Sequence, residues 1–169
     1  MRGHKREGER KVKTLNIPVG ISDFEKIRKN QYYYIDKTGL INSLLQNEPA
    51  EVTLITRPRR FGKTLALDML KTFFEKTKED TSVYFKDKQI WACGEKYQKM
   101  QGAFPVISIT FKDAKFSDWA STYAAIKNVI RDEFMRHDEL FTSDSLNPVE
   151  QDYLSRMQLD ELSEVEYTR

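Results

Sequence analysis

The most informative segment of the chain is Val52-Thr53-Leu54-Ile55-Thr56-Arg57-Pro58-Arg59-Arg60-Phe61-Gly62-Lys63-Thr64-Leu65. Residues 52–56 are rich in apolar, β-prone side chains, which predicts a short strand buried on both faces. Beyond the polar loop, apolar residues recur at helical spacing at Ala66, Met69, Leu70, Phe73 and Phe74. That spacing predicts an amphipathic helix that begins at the end of the loop.

Gly62, Lys63 and Thr64 match the second half of the phosphate-binding pattern G-x-x-x-x-G-K-[ST]. Arg57 stands where that pattern has its first glycine. Without a Cβ, Gly62 lets the backbone approach a phosphate oxygen, and the following helix points free amides at the same anion. In this pattern the lysine reaches the β- and γ-phosphates and the threonine hydroxyl binds Mg²⁺. The segment therefore predicts binding of a nucleoside triphosphate, ATP with Mg²⁺. The alternative is an exposed basic turn that opens a helix.

Three arginines of the loop, Arg57, Arg59 and Arg60, admit more than one interpretation. They can add bidentate contacts to the phosphates, they can contact the backbone of a nucleic acid, or they can remain in solvent. Phosphate contact is favoured, because the arginines lie directly beside Gly-Lys-Thr.

A second strand is predicted over residues 104–111, with Pro105 near its start. Further helices are predicted over residues 22–29 with a Ser22–Glu25 capping box, over residues 40–45, after Ser117 and after Asn147. The order strand, loop, helix, strand, helix predicts an α/β protein with parallel strands and flanking helices.

The chain of 169 residues is long enough for one domain with a core, and its 39% apolar and 32% charged residues are typical of a soluble globular protein. No apolar run approaches the ~18 residues of a membrane span. The single cysteine, Cys93, excludes an internal disulfide and fits the reducing cytoplasm, where we expect the protein. Residues 1–13 are basic and lack apolar periodicity, so we expect a disordered tail there.

Two segments resemble the predicted AAA-ATPase-like family of bacterial and archaeal proteins. They are Tyr33-Tyr34-Ile35-Asp36-Lys37-Thr38 and Thr56-Arg57-Pro58-Arg59-Arg60-Phe61-Gly62-Lys63-Thr64-Leu65. Phe104-Pro105-Val106-Ile107 with Phe111-Lys112-Asp113 also looks like the next strand of that family. The loop of this family lacks the first glycine, so Arg57 agrees with the resemblance. The resemblance spans about residues 14–135 and implies a P-loop NTPase fold of the additional-strand type.

The resemblance implies a nucleotide site made by the loop residues Arg57, Pro58, Arg59, Arg60, Phe61, Gly62, Lys63, Thr64 and Leu65. It gives Lys63 the catalytic role of a Walker A lysine and Thr64 the role of Mg²⁺ ligand. It also places residues 33–38 near the nucleotide. The alternative for that segment is structural, with Asp36 capping the next helix and the tyrosines packing.

No Walker B element, a hydrophobic strand that ends in Asp-Glu, is recognisable in the sequence. The Asp-Glu pairs are Asp132-Glu133, Asp138-Glu139 and Asp160-Glu161, all in helical or loop patterns. Because phosphoryl transfer needs groups that hold the metal and orient water, we expect hydrolysis by this chain alone to be absent or very weak. In the family that strand comes later, so we interpret residues 14–169 as the N-terminal portion of an AAA-ATPase-like domain. The expected partners are a nucleotide, a complementary ATPase half, and the PD-(D/E)XK nuclease-like domain that many family members carry downstream.

Two other hypotheses stay open. A nucleic-acid-binding fragment would use the basic start and the Arg-Pro-Arg-Arg loop, and it predicts a steep salt dependence and indifference to ATP. A nonfunctional remnant of a longer ATPase gene predicts no cooperative fold.

Overall fold

The structure, a computed structural model, describes residues 16–46, 51–137, 139, 141, 144–163 and 165–168. It divides into two units between Phe104 and Pro105. The described part of the first unit contains α1 (Phe24–Lys29), α2 (Gly39–Gln46), α3 (Lys63–Phe74), a 3₁₀ turn (Thr81–Tyr84), α4 (Gln89–Ala92) and α5 (Glu95–Gln98). The second contains α6 (Trp119–Arg136), α7 (Pro148–Gln158) and a 3₁₀ turn (Glu166–Thr168). The predicted disordered tail, residues 1–13, lies outside the described residues.

The predicted α/β fold with parallel strands is wrong. Within the described ranges no residue belongs to a β-strand, and strand-like pairing is limited to one isolated parallel bridge between Glu75 and Phe104. A strand requires a hydrogen-bonded neighbour, and the described chain supplies none along residues 52–56 or 105–111. Both segments leave apolar side chains exposed, as at Val52 (84%) and Ile107 (69%). The P-loop sheet of the additional-strand type is therefore not formed by the described residues.

The core of the first unit is largely aromatic. It is formed by the buried side chains of Phe24, Ile41, Met69, Phe73, Phe85, Ile90 and Tyr97. The ring of Phe85 stacks on Phe24 with centroids 5.1 Å apart and meets Phe73 edge-on at 5.0 Å. Each such ring stabilises the fold by roughly 1.5–3 kcal/mol through burial alone. The core fixes α3, and with it the loop that precedes α3, to α1 and to the segment around the 3₁₀ turn.

Two predicted helix starts are displaced by one residue. Asp23, not Ser22, caps α1 by accepting a 2.7 Å bond from the Lys26 amide. Asp118, not Ser117, caps α6 by accepting a 2.8 Å bond from the Ser121 amide. In both cases a carboxylate follows the predicted hydroxyl, and a negative charge is favoured at the positive end of the helix dipole.

The predicted start of α7 is confirmed. The Asn147 side chain accepts bonds from the amides of Val149 and Glu150 at 2.9 and 3.0 Å. The Glu150 side chain accepts from the Asn147 amide at 2.8 Å, which completes a capping box, and Pro148 occupies the first helical position.

Side chains of α6, not a neighbouring strand, bind the second predicted strand. Glu133 Oε1 accepts a 2.6 Å bond from the Ser108 amide. Arg136 Nη2 donates to the Val106 carbonyl at 2.8 Å, and the buried His137 places Nε2 3.0 Å from the same oxygen. These bonds satisfy backbone groups that a sheet would otherwise pair.

The segment that follows α7 is held by an arginine–glutamate pair. Arg156 Nη1 and Nη2 donate to the two carboxylate oxygens of Glu166 at 2.6 and 3.0 Å. The Ser163 hydroxyl and amide donate to Glu166 Oε2 at 2.6 and 2.8 Å. The Arg156 bonds, followed by those of Ser163, lower the pKa of Glu166 from 4.5 to about 2. None of the described helices is long and apolar enough to cross a membrane.

Candidate functional site

The loop in front of α3 ends at a glycine in the left-handed conformation. Gly62 is the N-cap of α3 with φ 74° and ψ 28°, and no side chain caps this helix end. The Gly62 carbonyl accepts from the Ala66 amide at 2.9 Å, which starts the helical hydrogen bonding. Among the described residues nothing accepts from the amides of Lys63, Thr64 and Leu65. The helix therefore begins with free N–H groups and a positive dipole end, the arrangement that binds anions.

A second left-handed residue lies two positions earlier. Arg60 has φ 69°, and a side chain with a Cβ in this region costs roughly 1–2 kcal/mol. The turn before α3 thus contains two residues with left-handed φ, Arg60 and Gly62. An observed outlier of this kind is typical of ligand-binding loops.

Two lysines hold the loop by its carbonyl groups. Lys63 Nζ donates to the Arg57 carbonyl at 2.7 Å, so the first residue of α3 is joined to the start of the loop. Lys37, which comes before α2, donates from Nζ to the Phe61 carbonyl at 3.3 Å. Each ammonium keeps N–H groups that these single bonds do not use.

The positive charge of the loop has no negative counterpart in the part of the chain that the structure describes. Arg57, Arg59, Arg60 and Lys63 are exposed, and neither they nor Lys37 pair with a described carboxylate. Some other cations of the first unit are paired, as Arg28 is with Asp87 at 2.6 Å. An exposed loop with several unpaired cations and free amides fits a phosphorylated ligand.

The chemistry of a bound Mg²⁺ is only partly provided. Thr64 is exposed in the first turn of α3, and its hydroxyl makes no hydrogen bond within the described residues. It could serve as a metal ligand beside phosphate oxygens. No group of three His, Cys, Asp or Glu side chains that could hold a metal occurs among the described residues.

Asp36 and Thr38 anchor the segment that carries Lys37. Asp36 Oδ1 accepts from the Thr38 amide and hydroxyl at 2.9 and 2.7 Å, and Oδ2 accepts from the Gln89 amide at 2.8 Å. The Thr38 hydroxyl, fully buried, accepts from the Ile90 amide at 3.2 Å. Burial raises the pKa of Asp36, but the bonds from Gln89 and Thr38 outweigh it and lower that pKa below its ordinary value. Asp36 therefore joins Thr38, the residue directly before α2, to Gln89, the first residue of α4.

Two residues that shape this site had no role assigned to them from the sequence. Lys37 belongs to the segment at residues 33–38 that the resemblance placed near the nucleotide, but no contact was predicted for Lys37 itself. Asp68 accepts a 2.6 Å bond from the Phe24 amide and so ties α3 to α1. No local pattern marks Asp68, because its partner lies 44 positions away.

The comparisons with known proteins agree with the family resemblance. Residues 18–165 match the family model described as AAA-ATPase-like, a predicted AAA-ATPase. An uncharacterized protein in the vnfD 5′ region of Azotobacter chroococcum mcd 1 is 48% identical over 59 residues. The aligned stretch is 34% of this chain and 11% of that relative, so the chain spans only a small part of the relative's length. No solved structure matches the chain.

Proposed function

Since the chain belongs to the predicted AAA-ATPase-like family, we propose that it binds a nucleoside triphosphate, ATP with Mg²⁺, through the loop at residues 57–65. Lys63 is the residue we assign to the β- and γ-phosphates, and Thr64 is the residue we assign to Mg²⁺.

The observation that carries the proposal is the coincidence of free amides and unpaired cations at one helix end. The amides of Lys63, Thr64 and Leu65 have no described acceptor, and the same turn carries arginines without a described carboxylate. A triphosphate provides oxygens for both sets at once, and each bond between an ionised phosphate and an N–H donor is charge-assisted. In the absence of an anion this concentration of positive charge has no evident structural purpose.

The side chain of Lys63 already lies across the loop that would surround a bound phosphate. Its ammonium lies 2.7 Å from the Arg57 carbonyl, six residues earlier. Such an ammonium can exchange that neutral acceptor for a phosphate oxygen, or keep it and use its other N–H groups. In both cases the lysine stem is preorganised, so less conformational entropy is lost on binding.

The proposal is limited to binding and does not extend to hydrolysis. Two described acids of the Asp-Glu pairs, Glu133 and Asp160, have partners in the second unit. Glu133 binds the Ser108 amide and Arg136, and Asp160 lies 3.5 Å from Lys127 and 3.8 Å from Arg131.

The proposal is tested by titrating the whole chain with a fluorescent ATP analogue in the presence of Mg²⁺. We expect saturable binding that unlabelled ATP competes away. Lys63→Ala should weaken it tenfold or more, about 1.4 kcal/mol. Lys99→Ala is the matched control, because Lys99 is 79% exposed and its only described partner is Glu95 at 3.8 Å. That control should bind like the wild type.

A short DNA duplex added to the same titration distinguishes nucleotide binding from the competing hypothesis of nucleic-acid binding. If the folded chain ignores ATP but binds the duplex with a steep salt dependence, the loop contacts nucleic acid and the nucleotide proposal is wrong. If Lys63→Ala and wild type bind ATP equally, the loop is not the site.

A further inference from the structure

The side chains of Asp36 and Thr38 are held by hydrogen bonds, and Thr38 is buried, whereas Lys37 between them is exposed. The two anchors bind the backbone amides of Gln89 and Ile90, at the start of α4. The hydrogen bonds of residues 36 and 38 therefore restrict the backbone on either side of residue 37, and this limits the directions that the side chain of Lys37 can take.

The ammonium of Lys37 lies beside Gly62, the N-cap of α3. Besides the 3.3 Å contact with the Phe61 carbonyl, it lies so close to Gly62 that a Cβ built on that glycine would be 3.2 Å from Nζ. Gly62 directly precedes the unpaired amides of α3. The ammonium thus lies beside the place where the proposed phosphates would be bound.

The hydrogen bond to the Phe61 carbonyl is too weak to account for a lysine at position 37. It is a single exposed hydrogen bond at 3.3 Å to a neutral acceptor, close to the limit of useful geometry. No described carboxylate pairs with this lysine. A charged group whose two neighbours are held by hydrogen bonds, and which has no described counter-ion, fits an anionic ligand better than it fits a structural contact.

We infer that Lys37 is a second phosphate-contacting lysine, which adds its ammonium to the terminal phosphates of the nucleotide bound at residues 57–65. This inference rests on the proposed function. Lys63 approaches from within the loop and Lys37 from the segment before α2, so that two cations converge on the ligand from separate parts of the chain. Asp36 and Thr38 are positioning residues in this arrangement.

The inference predicts that the preference for a triphosphate over a monophosphate depends on Lys37. A cation directed at the terminal phosphates favours a triphosphate over a monophosphate, since the monophosphate lacks the groups that the ammonium contacts. Substitution of a residue that only stabilises the loop would change the affinities for both nucleotides equally.

The test measures the affinity of the whole chain for ATP and AMP with Mg²⁺, by competition against the fluorescent analogue, in wild type, Lys37→Ala, Lys37→Arg and Lys99→Ala. We expect Lys37→Ala to weaken ATP roughly three- to tenfold while AMP changes by less than about twofold. Lys37→Arg should recover most of the loss for ATP, because the positive charge is restored. A thermal melt of each variant without nucleotide should show no change, since Lys37 is exposed.

Equal loss for ATP and AMP, or no loss for either, would overturn the inference and leave the proposed function intact if Lys63→Ala still weakens ATP binding tenfold or more. Failure of the wild type to bind ATP would overturn both. A lower melting temperature of Lys37→Ala with an unchanged ratio of ATP to AMP affinity would show that Lys37 only stabilises the loop.

Discussion

The carboxylate of Asp68, in the second turn of α3, accepts a 2.6 Å hydrogen bond from the amide of Phe24, the first residue of α1. Two carboxylates thus accept hydrogen bonds from amides in the first turn of α1. Asp23 directly precedes the helix, and Asp68 belongs to α3. This bond fixes the helix that follows the loop to the N-terminal helix of the first unit.

Asp68→Ala should destabilise the first unit by about 1–3 kcal/mol, because the Phe24 amide loses its acceptor at a buried residue. Burial raises the pKa of Asp68, so its charge is itself unfavourable in the folded chain. Asp68→Asn keeps an oxygen acceptor without that charge, and we expect it to cost less than Asp68→Ala. Denaturant unfolding followed by circular dichroism measures both. Equal losses for the two variants would contradict the assignment of the bond.

Thr38→Val should also cost about 1–3 kcal/mol, since the buried Ile90 amide would lose the hydroxyl that accepts its bond. Thr38→Ser retains the hydroxyl and is the control, with a smaller loss from the missing methyl group. The measurement is the same denaturant unfolding. A Thr38→Val variant as stable as Thr38→Ser would show that the hydroxyl is dispensable.

Gly62→Ala should weaken nucleotide binding as well as stability. Its φ of 74° is unfavourable for alanine by about 1 kcal/mol, and the new Cβ would lie 3.2 Å from Lys37 Nζ. Gly20→Ala is a matched control, because Gly20 also has φ 74° but no atom within 4 Å of an added Cβ. Both variants should lower the melting temperature, and only Gly62→Ala should reduce affinity for the ATP analogue. Equal affinity in the two variants would contradict the proposed contact region.

The Glu166 carboxyl should titrate far below its ordinary range in the whole chain, with a pKa of about 2. Because the folded pKa lies below the unfolded value, the stabilisation from this group is fully present above about pH 4.5 and is lost as the pH falls toward 2. Arg156→Gln removes the largest cause of the shift and should move the pKa back toward 4.5.

A pH titration of the side-chain carboxyl carbon by NMR measures the pKa of Glu166 directly. Arg131→Gln, which removes another arginine of the second unit, should leave that pKa unchanged. A Glu166 pKa near 4.5 in the wild type would show that the Arg156 pair is not formed in solution.

Local patterns predicted the helices better than they predicted the strands. The capping box at Asn147 and the helical spacing after Gly62 depend on residues within one or two turns, and both helices form as α7 and α3. The strand predictions at residues 52–56 and 104–111 rested on β-propensity, which reflects how a side chain fits a sheet that already exists. Apart from the isolated bridge at Phe104, no described segment pairs with them as a neighbouring strand, and residues 106 and 108 are bound by side chains of α6 instead.

The candidate site was predictable as a loop but not as a set of contacts. Gly62, Lys63 and Thr64 are adjacent in sequence, so their common place at the start of α3 followed from the motif alone. The contact between Lys37 and Phe61 depends on how the chain returns over 24 positions, which no local signal encodes. The one-residue shifts from Ser22 to Asp23 and from Ser117 to Asp118 have a simpler cause, since both side chains are good caps and the charged one is preferred.

The bond between Asp36 and Gln89 joins residues that are 53 positions apart, and the bond between Thr38 and Ile90 spans 52. Closing a loop of that length costs chain entropy, which burial of the aromatic core helps to offset. The loop and α3 lie inside this closed stretch, so the contact between Lys37 and Phe61 belongs to the same folded unit as these two bonds. Recognition of a phosphate by both lysines would then require the folded unit and not the motif alone. A peptide limited to the loop and α3 would carry the motif but lack the second lysine.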